Sequence, residues 1–285
     1  MNEISVIRVS GQTSLQDQGR PGLAHLGIPP SGAVDGPSLA AANRLVGNPS
    51  GLAGLEITVG GLILASAAPV VVALTGAPGP LTVDDRPAPL CTPVCGRRFS
   101  VGLAASGLRR YLAVAGGFDV PAVFGSRSTD TLSGLGPEPL KTGDVLPVGD
   151  PAGLPSGVDW LPVSVPPAEL TIGVRFGPRD DWFAEPDRLL RDAYTVSVMS
   201  DRVGARLEGP ALTRAKAGEL PSEPVVTGAV QVPADGKPLI FLSDHPTTGG
   251  YPVIAVVAKE EVPRLAQARP GTSIRFVRTT PRPAP

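Results

Sequence analysis

The stretch Asp244-His245-Pro246-Thr247-Thr248-Gly249-Gly250-Tyr251-Pro252 sets an acid, an imidazole, two hydroxyls and two consecutive glycines directly after the apolar run Leu239 to Leu242. A strand ending in such a cluster delivers polar groups to a loop where a ligand can sit. Asp244 and His245 are candidate general bases, and His245 titrates near neutrality, which suits proton transfer. As neighbours on an extended chain they face opposite ways, so they are not assumed to work as a pair. Thr247, Thr248 and the amides of Gly249 and Gly250, with Tyr251 behind them, can cradle an oxyanion or phosphate, or simply make a tight turn.

Two further clusters share this character. One runs through Asp17-Gln18-Gly19-Arg20-Pro21-Gly22 to Pro30-Ser31-Gly32-Ala33-Val34-Asp35; the other is Gly125-Ser126-Arg127-Ser128-Thr129-Asp130. Ser31 and Asp35 are candidate substrate contacts, and Asp35 also fits a helix cap. Ser128 and Asp130 join the third loop, while Glu223, between Pro221 and Pro224, is either a site acid or a solvated loop residue. The expectation is one site assembled from loops near residues 20, 127 and 247.

The elements that must position these loops are short. Thirty-five glycines and 34 prolines are spread along the 285 residues and punctuate β-branched runs. The runs are Ile4 to Val9, Leu55 to Val59, Val70 to Leu74, Phe99 to Leu103, Tyr111 to Val114, Leu170 to Phe176, Tyr194 to Met199, Val230 to Val232, Leu239 to Leu242, Ile254 to Val257 and Ile274 to Val277. This predicts a mainly β protein of barrel or sandwich type with few helices. Helices are expected after Asp35, with Pro37 in the first turn and Gly47 as the stop, from Pro186 to Ala193, and from Lys259 to Ala268. Gly60 to Gly76, interrupted by Pro69, reads as two buried strands, too short to cross a bilayer. The proline-rich stretch Leu154 to Pro167 predicts a boundary between an N-terminal half, 1–153, and a C-terminal half, 168–280, with a disordered tail at 281–285. Glycine spacing in Val101 to Gly117 and Val230 to Gly250 raises the prospect of two related barrel-like halves.

Composition narrows the function. Twenty-five basic and 26 acidic residues nearly cancel without a basic run, which argues against nucleic acid or an anionic membrane as partner. The N-terminus has no signal-peptide pattern, so a cytoplasmic location is expected. Cys91 and Cys95 are read as free thiols, and no metal site is expected with His25 and His245 so far apart; His25 is read as structural. Phosphate-loop, dinucleotide and nucleophile-elbow motifs are absent from the sequence. A covalent biotin site wants a lysine flanked by methionines, and only Met1 and Met199 exist, so no covalent biotin is expected on this chain.

The clusters together resemble a known family: the C subunit of prokaryotic 5-oxoprolinase, also described as carboxyltransferase-like, as allophanate hydrolase subunit 2, or as a kinase-inhibitor antagonist. The resemblance rests on Asp17-x-Gly19-Arg20-x-Gly22 with Ser31-Gly32-Ala33-x-Asp35, on Asn43-x-Leu45-Val46-Gly47-Asn48, and on Tyr111 to Gly117 leading to Gly125 to Asp130. It continues through Ser200-Asp201-Arg202-x-Gly204-x-Arg206-Leu207-x-Gly209 and Thr247 to Pro252. It implies a cyclophilin-like β-barrel architecture, a B subunit of related fold and an A subunit as partners, and ATP in the complex, which opens the lactam of 5-oxoproline to glutamate. A related region transfers carboxyl from carrier-bound biotin to urea, and a third reading is a regulatory protein that binds an inhibitor of a histidine kinase. The allophanate hydrolase label fits poorly, since the Gly-Gly-Ser-Ser run of the amidase signature is missing. In such chemistry Arg20, Arg127 and Arg202 are candidate anion clamps. The alternative is that each pairs with a nearby loop aspartate, Asp17, Asp130 and Asp201 respectively.

Overall fold

The computed structural model describes residues 2–151, 153 and 160–279. The chain divides into two compact units, Met1–Pro21 with Ser31–Pro166, and Gly22–Pro30 with Pro167–Pro285. The sequence reading put all of 1–153 in one half, whereas Gly22–Pro30 groups with the second unit. Residues 154–159 of the expected boundary, and the tail at 281–285, lie outside the described residues.

The first unit contains strands β1 (Asn2–Val9), β2 (Thr13–Gln16), β3 (Gly54–Thr58), β4 (Leu62–Gly76), β5 (Leu81–Val83), β6 (Arg86–Pro87), β7 (Val94–Val101), β8 (Arg109–Val114) and β9 (Val145–Val148), with one helix, α1 (Gly36–Leu45), packed on β4 and β8. Among the described residues they form a nine-stranded sheet in the order β2-β3-β8-β4-β7-β5-β6, with β1 pairing β4 and β9. Alternation drives this: Ile4 and Val6 of β1 turn inward while Ile7 and Arg8 face solvent. Leu15, Leu55, Ile57, Leu64, Val72, Phe99, Leu112 and Val114 fill the core, each contributing roughly 1.5–3 kcal/mol through burial. The stretch expected as two strands is the single strand β4, whose register shifts between Ala65 and Val70. Pro69 sits in that break, where its missing N–H costs no ladder bond.

Helix α1 follows its sequence signals. Asp35 accepts from the Ser38 N–H at 3.1 Å, Pro37 lies in the first turn, and Gly47 at φ 79° ends it in the left-handed region. Ala42, Leu45 and Val46 pack on Ala73 and Ala113.

The second unit contains β10 (Glu169–Phe176), β11 (Ala193–Val196), β12 (Gly204–Glu208), β13 (Glu223–Pro224), β14 (Ala229–Gln231), β15 (Leu239–Phe241), β16 (Thr248–Gly249), β17 (Val253–Val257) and β18 (Ser273–Arg278). The order β10-β17-β14-β15-β12-β11-β18 closes into a barrel through the parallel pair β10·β18, and β13 pairs β16 outside it. The protein is therefore mainly β with a closed seven-strand barrel. The units differ in how their first and last strands meet: β1·β9 is antiparallel where β10·β18 is parallel. The later helices are shorter than expected. Helix α2 is Arg188–Arg191, because Ala193 and Tyr194 are drawn into the ladder with β18. Helix α3 is Val262–Leu265, preceded by a 3-10 turn at Lys259–Glu261. Among the described residues no helix is long and apolar enough to cross a membrane.

Candidate functional site

The edge strand β2 delivers the chain into the first cluster. All four residues of Thr13-Ser14-Leu15-Gln16 are buried, and the strand's outer carbonyls are taken by Thr129 N–H (to Leu15, 2.9 Å) and Leu140 N–H (to Thr13, 2.8 Å). Asp17 follows at once. Its Oδ1 accepts from Gly19 N–H at 2.7 Å and from the hydroxyls of Ser126 and Ser128 at 2.6 Å each, and its Oδ2 accepts from Arg127 N–H at 2.6 Å. The Ser128 hydroxyl in turn accepts from Asp17 N–H at 2.9 Å, and Ala33 N–H donates to the Asp17 carbonyl at 3.0 Å. Ser31, held at φ 52°, donates its hydroxyl to the Thr129 carbonyl at 3.0 Å. The Asp17 carboxylate thus staples its own loop to that near residue 127, and the Asp17 carbonyl and Ser31 tie in the loop near residue 31. With its oxygens committed to four donors, Asp17 is an organiser of these loops.

Arg20 and Arg127 take partners other than the loop aspartates considered in the sequence. Arg20 is buried and donates to the carbonyls of Ser128 (2.5 Å) and Val123 (3.3 Å). Arg127 donates Nε to the Val120 carbonyl at 2.6 Å and lies 3.6 Å from exposed Asp119, its own side chain 34% exposed. Asp130 instead caps its own turn, accepting from Leu132 N–H, Ser133 N–H and the Ser133 hydroxyl. Asp201 does the same for Val203 and Gly204. A cleft of about 350 Å³ opens beside the staple, between Asp17, Gln18, Ala33 and Ser50 on one side and Gly36, Pro37, Leu39 and Ala40 of the first turns of α1 on the other.

Residues of the second unit make a separate group. Arg202 meets Asp244 side-on, Nε to Oδ2 and Nη2 to Oδ1, both at 2.9 Å, with side chains 1% and 0% exposed. His245 is buried on the ring of Phe241, its Nε2 3.1 Å from the Thr227 hydroxyl and its Nδ1 2.6 Å from the Pro246 carbonyl. Thr248 and Gly249 form β16 against Glu223 and Pro224, and Val225 N–H donates to the Thr247 carbonyl. Gly249 lies close to Gln231: a Cβ would fall 2.6 Å from the end of that side chain, which would have to shift. Gly250 follows it on this loop. Gln231 donates to the Tyr251 carbonyl at 2.9 Å, and the Tyr251 ring faces the Arg214 guanidinium. Glu223 is no solitary acid, since Arg179 pairs with both its oxygens and holds its carboxyl below the usual range. Of the loops expected to share one site, those near 20 and 127 meet in the first unit, and the one near 247 is organised within the second.

A buried network went unread in the sequence. Glu56 on β3 accepts from the Tyr111 hydroxyl of β8 at 2.8 Å and from Val34 N–H at 3.0 Å, with Arg109 Nε 3.4 Å away. The same hydroxyl accepts from Asp35 N–H at 2.8 Å, so this network fixes the start of α1. Burial first, and then the Glu56 charge, push the Tyr111 phenol well above its ordinary pKa. The available signal was Glu56 standing inside the apolar strand Leu55-Glu56-Ile57.

A family model of the carboxyltransferase domain, subdomain A and B, matches residues 26–278. The chain is 38% identical to the 5-oxoprolinase C subunit of Escherichia coli, over 96% of this chain and 90% of that one. It is 35% identical to the urea amidolyase of Saccharomyces cerevisiae, over 96% of this chain but 16% of that protein. The crystal structure of the K. lactis urea amidolyase superposes with a TM-score of 0.90 at 32% identity, covering 98% of this chain and 19% of that one.

Proposed function

The chain belongs to the carboxyltransferase-domain family, subdomain A and B, and on that premise we propose that it is the C-type subunit of an ATP-dependent 5-oxoprolinase. In this reading it hydrolyses the lactam of 5-oxoproline to glutamate only together with B and A subunits. The observation that carries it is the near end-to-end match with a protein named as such a subunit, against coverage of a small part of the urea amidolyase.

An amide resists water, and ATP bound within the complex supplies the missing activation of the carbonyl. The residues of this chain hold the substrate. Arg127 is the anion clamp: its ion pair with Asp119 is long and solvent-facing, and such pairs are worth at most about 1 kcal/mol. A substrate carboxylate can displace Asp119 and gain the paired donors of the guanidinium. Asp17 keeps Ser126, Arg127 and Ser128 in place for that exchange. In the second unit, taken by itself, His245 sets its Nε2 against the Thr227 hydroxyl, and Asp244 fixes Arg202 in place of acting as a base. The test is reconstitution with B and A subunits and measurement of glutamate release; no ATP-dependent release from a verified complex would end this reading.

A second reading, carboxyl transfer from a biotin carrier onto urea or another small amide, is favoured by the family's description and by the urea amidolyase match. Transfer of labelled carboxyl from carboxybiotin decides it, and none with an active carrier would remove it.

A further inference from the structure

We propose that Gln16, Arg20 and Thr129 form a binding site for the edge of a small amide, a group presenting a carbonyl oxygen and an N–H side by side as a lactam or urea does. The three side chains lie in the first unit and are 0%, 2% and 2% exposed. They are tied to two consecutive carbonyls. Gln16 Nε2 donates to the Thr129 carbonyl at 2.9 Å and to the Ser14 hydroxyl at 3.0 Å, and Arg20 Nη2 donates to the Ser128 carbonyl at 2.5 Å. The acceptor role of the Thr129 carbonyl fixes which end of the Gln16 amide is nitrogen.

Each side chain keeps one buried polar atom that meets no protein partner among the described residues: Gln16 Oε1, Arg20 Nη1 and Thr129 Oγ1. Such atoms are uncommon in folded proteins and costly, most of all on a charged group. Their roles are complementary. The guanidinium nitrogen only donates, the carboxamide oxygen only accepts, and the hydroxyl does either. None of the three atoms satisfies another. A carboxylate suits Arg20 but opposes Gln16 Oε1, and an ammonium does the reverse. The edge of an amide offers an acceptor and a donor together and answers both.

The walls are consistent with a site that opens. Val123 holds Arg20 Nε by a long bond of 3.3 Å. It belongs to a two-residue hairpin, paired with Ser126, whose tip residues Phe124 and Gly125 both have positive φ, 50° and 79°. This turn suits Asn-Gly, and a bulky residue at its first position is strained. The strain lies at the tip, while the base of the hairpin is fastened to Asp17 through the Ser126 hydroxyl and Arg127 N–H. Gly136 lies against the same two groups: any Cβ there would fall 2.1 Å from the Ser128 carbonyl and 3.1 Å from Arg20 Nη2.

The inference rests on the small-amide reading above, and its test is separable from it. Binding of 2-pyrrolidinone, urea and 5-oxoproline to the full chain is measured by calorimetry, with acetate as the carboxylate control. The Thr129 hydroxyl makes no hydrogen bond among the described residues, so Thr129→Val is expected to melt no lower than the native chain. Its affinity for the amide probes should fall about tenfold, with Thr129→Ser binding as the native chain does. Unchanged binding by Thr129→Val, or no saturable binding of any amide probe, overturns the proposal. So does a crystal structure in 2-pyrrolidinone that shows only ordered water at Arg20 Nη1. Should Thr129→Val fail to fold, magnetisation transfer between 2-pyrrolidinone protons and the Thr129 methyl group in the native chain decides instead. Glutamate release by the complex with Thr129→Val leaving KM untouched sinks this site and spares the subunit assignment. Amide binding lost in Thr129→Val without any turnover by the native complex does the opposite.

Discussion

Asp244 spends both carboxylate oxygens on Arg202, and both side chains are withdrawn from solvent. The backbone reinforces the pair, since Asp244 N–H donates to the Arg202 carbonyl at 3.0 Å. Removing one partner of such a pair strands the other charge in the interior, so Asp244→Ala should cost about 3–5 kcal/mol of unfolding free energy in urea titration. Replacing both, with Arg202→Met and Asp244→Leu, should recover most of that loss. A single variant as stable as the native chain would show that the pair does not hold this turn. The consequence for function is direct: lost activity in Asp244→Ala reports on catalysis only if the variant is shown to be folded. These residues stand 42 positions apart, and their partnership was not legible, because nothing in the sequence around Arg202 points to the loop that follows Leu242. Arg20 and Arg127 repeat the lesson, each bonded to backbone carbonyls whose positions only the folded loops define.

At the level of elements, β11 and β18 of the barrel meet through Tyr194 and Phe276, whose ring centroids are 5.9 Å apart. The Tyr194 hydroxyl is buried with no hydrogen-bond partner among the described residues, and burial, foremost, pushes its pKa up to about 12. Below pH ~10 the phenol is protonated folded or unfolded, so its contribution is constant. Between there and the folded value the unfolded chain loses the proton and the folded one keeps it, so stability falls as pH rises, by up to about 1.4 kcal/mol per unit. Tyr194→Phe should gain about 1 kcal/mol at pH 8 by removing an unmet hydroxyl. It should also flatten the decline above pH ~10, partly, because Tyr111 titrates with the same sign. Denaturant melts across that range check both, and a steeper alkaline loss in the variant would refute the assignment. The strands themselves were largely legible: β-branched runs mark β1, β3, β10, β17 and β18. The exceptions have a common cause. In β2, Thr13-Ser14-Leu15-Gln16, polar residues are buried in the strand where Gln16 Nε2 bonds the Thr129 carbonyl, and β12, Gly204-Ala-Arg-Leu-Glu208, carries no β-branched residue. Glu56 and Tyr111 became partners through the register of β3 against β8, which pairs them directly, and register does not show in either strand alone.

For the whole molecule, the decisive fact is that the chain enters the second unit twice. It passes there at Gly22–Pro30, returns at Ser31 to complete the first unit, and leaves for good at Pro167. A cut near Pro167 therefore does not separate the units cleanly, since the N-terminal fragment keeps nine residues that belong with the C-terminal one. Pro167 is exposed and lies before β10, so a protease site inserted between Pro166 and Pro167 should be cut without prior unfolding. After cutting, the two fragments should co-elute as one species in gel filtration and part only in denaturant. The C-terminal fragment produced alone should melt lower than it does within the nicked protein, and adding the N-terminal fragment should restore it. Clean separation of native fragments, each as stable alone as together, would mean that Gly22–Pro30 contributes nothing to the second unit. The loop of Asp17 and Arg20 ends where that excursion begins, and Ser31 stands where it returns. Both flanks are fastened to the Ser126–Thr129 loop, by Asp17 to Ser126 and Ser128, and by Ser31 to the Thr129 carbonyl. Freeing the excursion from the second unit should therefore loosen the amide site in the first unit as well, and 2-pyrrolidinone binding by the N-terminal fragment alone and by the intact chain measures whether it does.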